Sequence, residues 1–178
     1  MNRKMRAFLG VLAAALLAAP LPASAGLLGS TVIGTPLFPD ISTIGGTGHS
    51  AGPILVDAGI EFPENLILYS GDIDITDNQI LWIPTVSTTY LTSSFNGFEL
   101  DFFGAPAITG VMLHPGSALA ATSISFTADR VFLNFSGQTV VKGEAAIFDV
   151  NPVPEPVTLA LLGIGLAGLG FHVAERVK

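Results

Sequence analysis

Cysteine is absent from this chain of 178 residues, which excludes a disulfide framework, thiolate metal ligands and thiol catalysis. Positive charge is scarce in the middle of the chain. Across 26–152 the cations are Arg130 and Lys142, set against twelve carboxylates, for a net charge of −10. Such a surface repels phosphate backbones and excludes a nucleic-acid partner; a cation or a neutral sugar polymer is easier to accommodate. Helical periodicity is missing too, because no stretch of 26–152 keeps a 3.6-residue apolar repeat over three turns. The three histidines, His49, His114 and His172, lack the paired spacing of a zinc site.

Long apolar runs occur at the two ends. Residues 1–25 read as a secretory signal peptide, with Arg3, Lys4 and Arg6 as its positive start and 7–19 as its apolar stretch. Ala23 and Ala25 put small residues where signal peptidase cuts, so the mature chain is expected to begin at Gly26. At the other end 157–173 carries no formal charge and is long enough for a short transmembrane helix. Pro154 and Pro156 cannot extend that helix and mark its outer boundary. Arg176 and Lys178 form a basic tip that stays cytoplasmic.

Between these ends lies enough chain for one modest core. Residues 26–53 are rich in Gly, Ser, Thr and Pro, with a short strand piece at 31–34 and a Gly45-Gly46-Thr47-Gly48 loop. From 54 onward, period-two apolar runs broken by turn residues predict strands at 54–62, 66–75, 79–86, 95–103, 107–114, 121–127, 130–136 and 144–150. Phe98, Leu100 and Phe102 share one face, with Glu99 and Asp101 on the other, and Ala128-Asp129 predicts a tight hairpin. The expected fold is all-β: an antiparallel β-sandwich or jelly roll of about eight strands, with a barrel as the second choice. Eleven Phe outside the signal peptide would fill the space between sheets. Trp82, Tyr69 and Tyr90 read first as core or half-buried, and second as platforms for sugar rings.

Several motifs resemble chemistry. Gly48-His49-Ser50-Ala51-Gly52 spells G-x-S-x-G, but neither a buried strand before it nor a helix after it completes a nucleophile elbow. A serine hydrolase with His114 as base and Asp57 or Asp101 as its orienter is therefore the weakest of three functional readings. Gly163, Gly165 and Gly168 spell G-x-G-x-x-G inside the apolar tail, where no dinucleotide site can form. Asp72, Asp74 and Asp77 suggest a calcium loop, although their alternation with Ile73 and Ile75 fits the solvated face of an edge strand better. Asn134-Phe135-Ser136 matches a glycosylation sequon, with Asn134 expected to face solvent.

Val153-Pro154-Glu155-Pro156, followed by the Gly- and Leu-rich stretch and the basic tip, resembles the PEP-CTERM sorting domain. The resemblance covers 153–178 and departs from the usual Arg-rich cluster, since Glu175 and Val177 interrupt the tip. It implies export by a Gram-negative bacterium that makes extracellular polysaccharide, and processing by an exosortase, a membrane cysteine transpeptidase, at Pro154, Glu155 and Pro156. The parts are then a signal peptide (1–25), an ectodomain (26–152) and a sorting segment (153–178). The expected function is that of a non-enzymatic cell-surface or matrix protein, structural or associated with exopolysaccharide. No cofactor is expected, a calcium ion being the one alternative. The second reading is a carbohydrate-binding module using Trp82 and Tyr90, with calcium at Asp72, Asp74 and Asp77.

Overall fold

In β7 (Gly97–Phe103) Phe98, Leu100 and Phe102 are buried, while Glu99 and Asp101 point outward. The same alternation builds β4 (Gly71–Ile75), β5 (Gln79–Pro84), β10 (Arg130–Asn134) and β12 (Ala146–Pro152), whose inward residues include Ile73, Ile80, Trp82, Val131, Leu133 and Phe148. A strand with one buried and one wet face reads this way because its side chains alternate with a period of two. The computed structural model describes residues 26–67 and 70–153. The expectations for 1–25 with Ala23 and Ala25, for Tyr69, and for Pro154, Glu155, Pro156, the glycines and apolar run of 157–173, Arg176 and Lys178 lie outside the described residues.

The described residues are all-β, with no helix long and apolar enough to cross a membrane. Besides the strands above they contain β1 (Thr31–Leu37), β2 (Ala51–Leu55), β3 (Ile60–Phe62), β6 (Thr88–Thr89), β8 (Ile108–Leu113), β9 (Ser123–Phe126) and β11 (Thr139–Val140). One five-stranded sheet runs β2-β1-β7-β10-β9, a second runs β3-β4-β5-β12-β8, and β11 pairs with β6. The pairings of neighbouring strands are antiparallel. Twelve strands replace the eight or so expected, partly because 54–62 is two strands. An Asx turn breaks that run, with the Gly59 N–H donating to Asp57 Oδ1 at 2.9 Å.

Inner faces of the two five-stranded sheets supply one buried cluster. At its centre the ring of Phe135 lies 4.3 Å from Trp82 and 6.3 Å from Phe148 of the second sheet, and 6.0 Å from Phe98 of the first. Burying one such ring contributes about 1.5–3 kcal/mol. Gly71 is required by this packing: a Cβ there would sit 2.5 Å from Trp82 Nε1. The hairpin expected at Ala128-Asp129 joins β9 to β10, with the Thr127 N–H donating to the Arg130 carbonyl at 2.9 Å.

Candidate functional site

Sheet order places the last strand, β12, between β5 and β8. At its end Pro152 pairs with Ile108, and the Val153 N–H donates to the Ala107 carbonyl at 2.8 Å. Val153, the first residue of the expected sorting motif, is thus still attached to the sheet. The folded chain reaches the motif with no linker in between.

A second feature is a cleft of about 190 Å³ where the C-terminal end of β1, the Gly45–Gly48 loop and β6 come together. The loop folds back through the Gly45 N–H to the Pro36 carbonyl at 3.0 Å and through Thr47 Oγ1 to the Ile67 carbonyl at 3.3 Å. Gly46, at φ +52°, lies so close to the chain that a Cβ would meet the Ile67 carbonyl at 2.9 Å. Ser70, Thr88, Thr89, Tyr90 and Asn96 line the opening. Ser70 Oγ and Tyr90 Oη are 2.7 Å apart, and burial pushes the Tyr90 phenol up to about 12. Behind the cleft, Trp82 meets the Tyr90 ring edge-on at 5.7 Å.

Two buried polar residues bond to the backbone, Asn134 beside Asn96 of the cleft and Glu61 beside Ile75, at the other end of β4 from Ser70. Asn134 Oδ1 accepts the Asn96 N–H at 2.9 Å and the Ser136 N–H at 3.0 Å, and its Nδ2 donates to Ser123 Oγ at 3.3 Å and the Ser94 carbonyl at 3.4 Å. Glu61 Oε2 accepts the Ile75 N–H at 2.7 Å and Oε1 the Asp57 N–H at 3.1 Å. Burial raises the Glu61 carboxyl above its ordinary value of 4.5, partly offset by these backbone donors. Burial also raises Asp74.

The residues singled out from sequence are dispersed. Trp82 is fully buried, so it cannot stack on a sugar from outside; the core reading holds for it and the platform reading is corrected. Tyr90 is half-buried and lines the cleft. Asp72 and Asp74 sit on the outer face of β4, Asp72 Oδ1 accepting the Glu64 N–H at 2.6 Å. Asp77 lies in the following turn, where its carbonyl accepts the Leu27 N–H at 2.7 Å. Among the described residues no three His, Cys, Asp or Glu side chains gather as a metal ion requires, so the calcium set is not assembled.

Ser50 bonds Thr35 Oγ1 at 2.8 Å, while His49 Nδ1 is 3.1 Å from the Thr47 carbonyl. His114 Nδ1 takes the Gly116 N–H at 3.0 Å, and Asp101 faces Arg130 at 3.3 Å. The parts of a hydrolytic triad are therefore engaged separately. Asn134, expected to face solvent, is 5% exposed and forms the buried network above, because the 93–97 segment covers it. Sequence reasoning missed Ser70, Thr88, Thr89 and Asn96; apart from the glycine-rich loop, no local pattern marks segments so far apart as one cleft.

Residues 152–176 match the family model of the PEP-CTERM protein-sorting motif. No curated protein and no solved structure matches the chain. The motif supports an exported protein directed toward the cell envelope and implies an exosortase as its processing partner.

Proposed function

We propose that this chain is a non-enzymatic envelope protein: a β-sandwich exported by the 1–25 signal peptide, held in the inner membrane through 157–173, and then released or relinked by an exosortase at Val153-Pro154-Glu155-Pro156. At its destination it serves a structural role beside extracellular polysaccharide. The observation that carries this reading is the sorting-motif match at 152–176, which begins at the last residue of β12. Its support also includes the separate engagement of Ser50, His49 and His114 among the described residues, each bonded to a partner other than the remaining two.

Intact mass of the mature protein tests it. The expected species begins at Gly26 and ends within the Val-Pro-Glu-Pro run, whereas Glu155→Ala accumulates a form that retains Lys178. A wild-type chain that keeps Lys178 in the envelope would instead be a permanently anchored membrane protein, and the sorting reading would fail.

A further inference from the structure

We infer that the cleft between the Gly45–Gly48 loop and β6 is a binding subsite for one ring of a neutral polysaccharide. This deepens the envelope reading above and rests on it for the polymer's presence. Three observations carry the inference. The first is charge: the domain has twelve carboxylates across 26–152, yet among the described residues lining this cleft there is no Asp, Glu, Lys, Arg or His. The concavity is therefore kept neutral on a strongly acidic molecule, which disfavours both a cation and an acidic polymer as occupant.

The second is the kind of polar group presented. Ser70, Thr88, Thr89, Tyr90 and Asn96 offer hydroxyl and amide groups, which both donate and accept as sugar hydroxyls do. In the Ser70–Tyr90 pair at 2.7 Å, one hydroxyl hydrogen serves the bond between them and the other stays uncommitted. Asn96 Nδ2 donates one hydrogen to the Leu91 carbonyl at 2.9 Å, leaving its second donor. The Thr88 hydroxyl makes no hydrogen bond among the described residues.

The third is shape. The volume of about 190 Å³ is below the roughly 300–1,000 Å³ that encloses a drug-sized ligand, which suits a single ring of a chain passing over an open mouth. Tyr90 lines the cleft, and its ring is fixed by contacts with Trp82 at 5.7 Å and Phe135 at 6.0 Å. The glycine-rich loop forms a wall without side-chain bulk at Gly46.

The test is affinity electrophoresis of the protein recovered from its envelope fraction, in gels containing dextran, galactomannan or hydroxyethyl cellulose, with alginate as the acidic comparison. The expected result is retardation in at least one neutral gel and none in alginate. Thr88→Gln, which fills the mouth from an exposed position, should weaken that retardation at least about ten-fold with an unchanged melting temperature. Ser70→Ala, which removes one hydroxyl, should weaken it by a smaller factor. Free migration of wild type in every neutral gel, equal retardation in alginate, or indifference to both substitutions would overturn the subsite. A protein that binds but keeps Lys178 would sink the sorting reading and spare the cleft; a processed protein that fails to bind would do the reverse.

Discussion

Asn134 in the first sheet and Glu61 at the edge of the second each accept two backbone N–H groups away from water, but only Glu61 can ionise. The amide also donates twice, to Ser123 and Ser94, so the 93–97 segment is held by a neutral network. The carboxylate must keep its charge in a poorly solvated place or keep a proton. The network around Asn134 carries no titrating group, whereas the one around Glu61 responds to pH.

Asn134→Leu should break the neutral network most severely. It strands the Asn96 and Ser136 N–H groups, at about 1–3 kcal/mol for each buried unpaired donor. We expect a loss of about 2–5 kcal/mol in urea unfolding, of similar size at pH 5 and pH 8.

Glu61→Gln should cost less, about 1–3 kcal/mol, since one carbonyl oxygen remains for two donors. Its value lies in the pH profile. Because the folded carboxyl lies above its ordinary 4.5, the folded chain holds that proton more tightly than the unfolded one. This contribution is fully present below pH 4.5 and is lost as pH rises through the folded value. Wild-type stability should therefore decline over that window, with Asp74 acting in the same direction. Glu61→Gln should flatten the decline, so the gap between variant and wild type narrows as pH increases. Parallel profiles would remove the contrast between the two sheets.

Arg130→Gln gives the smallest effect. Arg130 bridges Glu99 at 2.9 Å and Asp101 at 3.3 Å on the wet face of the first sheet, and its side chain is 46% exposed. The expected loss is below about 1 kcal/mol and should vanish in high salt. A loss matching that of Asn134→Leu would show that burial is not what separates these polar contacts.

Local pattern made β7, β10 and the β9–β10 hairpin legible, because each side chain's parity is written in its own segment. The reading failed where a remote segment changes exposure. Asn134 has the outward parity of Arg130 and Phe132, but Ser94, Asn96 and Ser123 come from elsewhere to cover it. The β6–β11 pair is too short for any period, with two residues on each side. The sorting motif was readable for the opposite reason: its recognition elements are contiguous. The cleft draws on β1, the glycine-rich loop, β6 and the start of β7, so its neutrality emerges only when they meet.

The interior position of β12 bears on the timing of folding. Within its sheet β8 is joined to the other strands through β12 alone, so that sheet stays open until Ala146–Pro152 arrive. These are the last residues before the sorting segment, and the first half of the chain cannot close the structure without them. A chain that stops before Ala146 therefore lacks the strand that joins β8 to β5 and cannot complete the second sheet.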